Sequence, residues 1–118
     1  MSSNPFVLAA VDDLFFLIQV KDAAKRTGFG LKNGQTPEAI LNLAAQSPAL
    51  IVVDLHSQKL DPLATIRQLK SPDSPAAKIP ILAYLSHVQV ELGQSARDAG
   101  ANIVVPRSAF LRTLNETL

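Results

Sequence analysis

Three aspartates stand where two short apolar segments end, and they are the residues of this chain best suited to chemistry. The first segment, residues 6–11, is followed by Asp12 and Asp13, and the second, residues 49–53, is followed by Asp54. If both segments are neighbouring strands of one parallel sheet, the three carboxylates emerge at the same edge. Two carboxylates about 4 Å apart repel each other by roughly 4 kcal/mol at an effective dielectric of about 20. We therefore expect a cation among them, or a carboxyl group that keeps its proton.

The residue types at this edge favour magnesium and phosphoryl chemistry. Mg²⁺ prefers oxygen ligands and commonly binds through one or two carboxylates together with phosphate oxygens. A carboxylate beside such an ion can accept a phosphoryl group, because the metal neutralises charge on the phosphoryl oxygens. The alternative is that these aspartates only cap helices, since Asp is a favoured residue at the start of a helix. A doublet after one strand and a third aspartate after its neighbour favour the chemical use.

The elements that would position the aspartates follow from an alternation of apolar and amphipathic segments. Five strands are predicted, over residues 6–11, 29–33, 49–54, 79–85 and 101–105. Five helices are predicted to follow them in turn, over residues 13–27, 37–46, 61–70, 87–99 and 108–117. Five βα units predict an α/β fold with a doubly wound parallel sheet. In the flavodoxin-like strand order 2-1-3-4-5, the first and third strands are neighbours, and ligands bind where they meet.

The composition indicates one compact domain over residues 1–118. Hydrophobic residues make up 47% of the chain and charged residues 18%, as in globular rather than disordered proteins. The net charge is +1 and the basic residues are scattered, so nucleic acid is not an expected partner. Cysteine is absent, which excludes disulfides and thiolate chemistry. The apolar segments are shorter than the roughly 20 residues of a membrane span, and no signal peptide pattern begins the chain, so we expect no membrane association and a cytoplasmic protein.

Several segments, in their order along the chain, resemble the receiver domain of CheY-like response regulators. They are the strand before Asp12-Asp13, Ile51-Val52-Val53-Asp54, Ile79-Pro80-Ile81-Leu82 and Ala99-Gly100-Ala101. The resemblance implies the flavodoxin-like (βα)5 fold and Asp54 as the phosphoacceptor. It also implies a Mg²⁺ site formed by Asp12, Asp13, Asp54 and the backbone carbonyl of His56. The implied partners are a sensor histidine kinase or phosphotransfer protein and an output protein, and the domain would be no enzyme beyond its own phosphoryl transfer.

The sequence departs from the receiver pattern at the residues that usually respond to phosphorylation. The Thr or Ser expected at the end of the fourth strand aligns with Leu85, one residue before Ser86. The family's Lys is replaced by Arg107, which follows Pro106 instead of preceding a cis-bonded proline, so we expect a trans bond here. The aromatic residue expected in the fifth strand aligns with Val104. The chain is therefore identified as an atypical receiver.

These departures leave three functional hypotheses open. In the first, Asp54 is phosphorylated with Mg²⁺ bound, and Arg107 holds the phosphoryl group. In the second, the domain is a pseudo-receiver that binds partners without phosphorylation, with Arg107 neutralising the acidic residues. The third is a small-ligand-binding flavodoxin-like domain, although no glycine-rich phosphate loop follows the first strand.

Two helices carry more apolar side chains than one buried stripe requires. In helix 13–27 we expect Leu14, Leu17 and Ile18 to face the sheet, which leaves Phe15 or Phe16 partly outward. The last helix carries Phe110, which would lie near the face through which receiver domains commonly pair. Exposed aromatic patches often mark association sites, so homodimerisation is an open alternative.

Overall fold

A computed structural model describes residues 5–86 and 89–118, in which five strands and five helices alternate. The strands are β1 (Phe6–Ala10), β2 (Gly30–Asn33), β3 (Leu50–Asp54), β4 (Ile81–Leu85) and β5 (Ile103–Pro106). The helices are α1 (Leu14–Arg26), α2 (Pro37–Ala44), α3 (Pro62–Leu69), α4 (Val90–Ala99) and α5 (Arg107–Thr117). Every predicted element is present, and its ends differ from the predicted ones by at most three residues. The predicted start of α4 at 87 and 88 lies outside the described residues.

The sheet has the strand order β2-β1-β3-β4-β5, and every pair of neighbouring strands is parallel. This is the predicted order. The register pairs Ala10 of β1 with Val53 of β3, so the two strands reach the same edge side by side. Asp12 and Asp13 follow β1 at this edge, and Asp54 ends β3 there. The prediction that the first and third strands are neighbours is therefore confirmed.

Both faces of the sheet are covered, as the continuously apolar strands predict. On one face, α2, α3 and α4 pack through Ile40, Ile66 and Ala96, all fully buried. On the other face, α1 and α5 pack through side chains that include Phe16 and Phe110. Each fully buried large apolar side chain contributes about 1.5–3 kcal/mol relative to its exposed state. No helix in the described part of the chain is long and apolar enough to cross a membrane.

The buried face of α1 differs from the predicted one. Phe16, Val20, Ala23 and Ala24 face the sheet, at the spacing of one helical stripe. Leu14 and Ile18 are exposed, and so is Phe15, at 82% of its full accessibility. The prediction was therefore wrong for Leu14 and Ile18, and right that a phenylalanine points outward.

Phe110 is not an exposed aromatic residue. It is fully buried beneath α5, together with Leu114. Its ring packs against Phe16 of α1 and Tyr84 of β4, with centroid distances of 5.1 and 5.0 Å. Because these contacts use the apolar surface of Phe110 inside the domain, this residue offers no support for homodimerisation.

Candidate functional site

Asp54 ends β3 as a largely buried carboxylate, with 9% of its surface exposed. Its Oδ1 accepts a hydrogen bond from the backbone N–H of His56, at 2.9 Å. Burial raises the pKa of Asp54, and the charge of nearby Asp12 adds to this, while the N–H and charge of His56 oppose it. An ionised carboxylate at this position is therefore unfavourable unless a cation or hydrogen-bond donors compensate for the lost water.

Asp12 is exposed and is held by a serine from the loop after β3. The Oγ of Ser57 donates to Oδ2 of Asp12, at 2.7 Å, and accepts the backbone N–H of Leu60, at 3.2 Å. Ser57 itself is only 3% exposed, so its hydroxyl is fixed by both bonds. Ser57 is a site residue that the sequence does not single out, because a serine in a polar loop has no distinctive spacing.

Asp13 is bound on both of its carboxylate oxygens. Its Oδ1 accepts the backbone N–H of Phe16, at 3.2 Å, and so caps α1. Its Oδ2 pairs with the guanidinium of Arg107, at 2.7 Å. The hydrogen bond from Arg107 is the largest cause that holds the pKa of Asp13 below its ordinary value, followed by the N–H of Phe16. Asp13 therefore caps α1, and it also joins the first and last helices through Arg107.

Arg107 is the first residue of α5 and packs on an aromatic ring as well as on Asp13. Its guanidinium carbon lies 4.4 Å from the centroid of the Phe16 ring, a cation–π geometry. The side chains of Arg107 and Asp13 are 39% and 35% exposed, so water screens the pair and limits its contribution to about 1 kcal/mol or less. The peptide bond before Pro106 is trans, like every other in the described chain, as expected from the order of Pro106 and Arg107.

Tyr84 brings a buried hydroxyl to the same place. It is paired with Asp54 in the register of β3 and β4, so the two side chains leave the sheet on the same face. Only 1% of Tyr84 is exposed, and its hydroxyl has no hydrogen-bond partner among the described residues. The hydroxyl and the Asp54 carboxylate interact electrostatically but fall short of a well-formed hydrogen bond. Burial is the main cause that raises the pKa of Tyr84 far above its usual range, and the charge of Asp54 is the second.

The three predicted aspartates share one edge of the sheet, but each has its own partner. Asp12 is bound by Ser57 and Asp13 by Arg107, whereas Asp54 is bound by the N–H of His56. Within residues 5–86 and 89–118, no three acidic or histidine side chains are arranged to hold one metal ion. The Mg²⁺ site assigned to Asp12, Asp13, Asp54 and His56 therefore stays a prediction.

The structure also locates Leu85, Ser86 and Val104, the positions that the sequence analysis compared with the receiver pattern. Leu85 is buried in the core beneath α2, α3 and α4, on the opposite face of β4 from Tyr84. Ser86, the residue after Leu85, is exposed just beyond the strand. Val104 of β5 packs against the same core as Leu85 and is half-buried. The only hydroxyl that β4 itself brings to the site is thus that of Tyr84.

Comparisons with known proteins identify the fold. No model of a known protein family matches the chain, and no curated protein matches its sequence. The structure is similar to the chemotaxis protein CheY4 of Vibrio cholerae, with a TM-score of 0.82 and 18% identity, over 98% of this chain and 100% of that one. It is also similar to a response regulator of Burkholderia pseudomallei with a phosphorylated aspartic acid, a calcium ion and citrate (TM-score 0.80, 20% identity, 98% of this chain and 66% of that one).

A third similar structure is the phosphorylated cyanobacterial phytochrome response regulator RcpA. The TM-score is 0.75 and the identity 15%, over 97% of this chain and 88% of that one. In all three comparisons the similarity covers nearly the whole of this chain, from β1 to α5. The chain has the CheY-like receiver fold.

Proposed function

We propose that this chain is a receiver domain of two-component signalling and that Asp54 accepts its phosphoryl group. The proposal rests on the position of Asp54, which is a buried carboxylate at the end of β3. Asp54 lies beside Asp12, at the edge of the sheet where ligands bind in this fold. Two structures with the same fold belong to phosphorylated response regulators, one of them phosphorylated on an aspartic acid. The phosphoryl donor would be a sensor histidine kinase or a phosphotransfer protein.

The hydrogen bonding of Asp54 assigns different roles to its two oxygens. Oδ1 accepts the N–H of His56, so Oδ2 is the oxygen available to attack phosphorus. As the new O–P bond forms, the P–N bond of the donor phosphohistidine breaks, and the imidazole nitrogen keeps the electron pair and takes a proton from water. With acetyl phosphate as donor, a P–O bond breaks instead and acetate leaves. Asp54 must be ionised to attack, and burial makes this anion reactive because it is poorly solvated.

The remaining oxygens around Asp54 suit Mg²⁺. Ser57 donates to Oδ2 of Asp12, so Oδ1 of Asp12 remains for the metal. Oδ1 of Asp54 accepts one N–H and keeps a second lone pair, so it can bind the metal while Oδ2 attacks phosphorus. Two carboxylates and the backbone carbonyl of His56 form an oxygen ligand set of the kind that Mg²⁺ prefers. Bound Mg²⁺ would neutralise charge on the phosphoryl oxygens. Asp13 joins this set only if it releases Arg107.

A second candidate function is a pseudo-receiver that binds an output protein without phosphorylation. The observation that favours it is the 2.7 Å ion pair between Arg107 and Asp13, which already neutralises one acidic residue. Under this hypothesis Arg107 stays on Asp13, and the surface of the domain that partners contact does not depend on a phosphoryl group.

The test is a titration of the wild-type protein with Mg²⁺ and then beryllofluoride, which resembles a phosphoryl group, followed by amide NMR. We expect saturable shifts at Asp12, Asp54 and His56 with each addition. Incubation with acetyl phosphate should add one phosphoryl group by intact mass. Asp54→Asn should abolish the beryllofluoride response and the mass increase, because the attacking oxygen is lost.

Asp73→Asn is the matched control, since Asp73 is an exposed aspartate in the loop between α3 and β4. This variant should bind beryllofluoride and accept the phosphoryl group like the wild type. A wild-type protein that binds Mg²⁺ but neither beryllofluoride nor a phosphoryl group would contradict the proposal and support the pseudo-receiver.

A further inference from the structure

The hydroxyl of Tyr84 is the polar group of the site that the proposed phosphoryl transfer leaves unexplained. It is buried, and in the described part of the chain it makes no well-formed hydrogen bond, although the Asp54 carboxylate lies close enough to interact with it. Buried polar groups in folded proteins nearly always have a hydrogen-bond partner, so an unpaired one calls for an explanation. A phenylalanine would fill the same space between Phe16 and Phe110 without the free-energy cost of burying an unpaired hydroxyl.

The surroundings of the hydroxyl place it at the candidate site. Besides burial, three charged groups act on Tyr84, and they are Asp54, Arg107 and Asp13, all of them site residues. A tyrosine hydroxyl carries its proton at neutral pH, so it can donate a hydrogen bond. A donor that faces a carboxylate without a well-formed hydrogen bond suits a larger anion at that position.

We propose that the hydroxyl of Tyr84 donates a hydrogen bond to the phosphoryl group on Asp54. Tyr84 would thus supply, from the neighbouring position in β4, the hydroxyl that is missing at Leu85. The proposal rests on Asp54 as phosphoacceptor. Tyr84 binds the product group and takes no part in bond breaking.

The ring of Tyr84 extends this contact into the core under α1 and α5. Its centroid lies 4.6 Å from that of Phe16 and 5.0 Å from that of Phe110, and Arg107 stacks on Phe16. A shift of the hydroxyl toward a phosphoryl group moves the ring against both neighbours. Close-packed cores respond to such shifts by repacking rather than by smooth deformation. The phosphorylated state is therefore read out at α1 and α5.

The test compares wild type, Tyr84→Phe and Ser86→Ala in the presence of Mg²⁺, with beryllofluoride as the probe. Tyr84→Phe keeps the ring and removes only the hydroxyl, so the fold is retained. We expect its beryllofluoride affinity to fall about ten-fold, the effect of one hydrogen bond to a charged group. Its thermal stability without ligand should be equal to or above that of the wild type, because an unpaired buried hydroxyl is removed. Ser86→Ala should bind like the wild type, since Ser86 is exposed beyond β4.

Amide NMR provides a second measurement that a purely structural role for Tyr84 would not affect. In the wild type, beryllofluoride should shift the amides of Phe16 and Phe110, and in Tyr84→Phe at saturating ligand these shifts should be reduced. Equal affinity and equal shifts in the two proteins would overturn the role of Tyr84 while Asp54 remains the phosphoacceptor. Weaker binding by Ser86→Ala alone would also overturn it and assign the hydroxyl to Ser86. A wild type that binds no beryllofluoride would overturn both proposals.

Discussion

The acidic residues of the site differ in how their charge is compensated. Asp13 has a guanidinium and a helix N-terminus as partners, which lower its pKa. Burial raises the pKa of Asp54, and the single backbone N–H that it accepts, from His56, only partly opposes this. A carboxylate that lacks compensation gains most from a cation or from hydrogen-bond donors. This difference supports the proposal that Asp54 is the reactive position, and the role proposed for Asp13 depends on whether Arg107 leaves it.

The first prediction concerns Arg107→Gln. Loss of the cation frees Asp13 and removes a positive charge near the proposed metal, so Mg²⁺ should bind several-fold more tightly by calorimetry. If Arg107 also holds the phosphoryl group, beryllofluoride should bind about ten-fold more weakly. The free energy of unfolding should fall, because the ion pair and the stacking on Phe16 are both lost. The fall should be only about 1 kcal/mol, because both interactions are partly exposed to water.

Arg112→Gln is the control for this change, since Arg112 is an exposed arginine on the same helix. It carries the same change of net charge away from the site and should leave both affinities unchanged. Equal Mg²⁺ affinity in Arg107→Gln and the wild type would show that the ion pair does not compete with the metal.

At the scale of elements, the beginning of α1 connects the acidic doublet to the core. The cap by Asp13 sets where the helix starts, and Phe16 then occupies the turn that faces the sheet. This helical phase explains why Leu14, Phe15 and Ile18 remain exposed. The same carboxylate binds the first residue of α5, so one side chain joins two helices that cover the same face.

The second prediction separates the two functions of Asp13. Asp13→Ala should destabilise the domain by about 1–2 kcal/mol in urea unfolding, because the cap and the ion pair are both lost. Asp13→Ser should recover most of the capping part, since serine is a good N-cap, without recovering the pair with Arg107. If the two variants were equally unstable, the cap would contribute nothing and the ion pair would account for the loss.

At the scale of the whole molecule, the buried charge of Asp54 should be visible in stability against pH. The folded-state pKa of Asp54 lies above its ordinary value of 3.8, so folding favours the protonated form. The contribution of Asp54 to stability is therefore greatest at low pH and is lost as pH rises through the folded pKa. Asp13 behaves oppositely, because its lowered pKa gives stability that is lost as pH falls below 3.8.

The third prediction concerns the stability of Asp54→Asn at different pH values. Without Mg²⁺ at pH 7, Asp54→Asn should be more stable than the wild type by about 1 kcal/mol, because an ionised buried carboxylate is replaced by a neutral amide. The gap should close as pH falls below the folded pKa of Asp54, where the wild-type side chain is also neutral. Urea unfolding of both proteins at a series of pH values measures this difference in stability. A gap that is constant with pH would mean that Asp54 is not desolvated in its ionised form.

Much of the molecule can be predicted from the local pattern of the chain. The alternation of apolar and amphipathic segments predicts all ten elements, because burial on two faces of a sheet requires that pattern. The strand order and the position of Asp54 beside the end of β1 were also predicted and are confirmed. The buried face of α1 was not, because several apolar side chains compete for the sheet, and the cap at Asp13 and the fit of Phe16 decide between them.

The sequence by itself determined the elements, their order and the acidic edge of the sheet, because these follow from short-range periodicity and from which residues end each strand. Only the tertiary structure decided the partners at that edge. Ser57 and Asp12 are 45 residues apart, and Arg107 and Asp13 are 94 apart. Such contacts depend on how the strands and helices pack in three dimensions, and the orientation of the Tyr84 hydroxyl toward Asp54 depends on the register of β3 and β4.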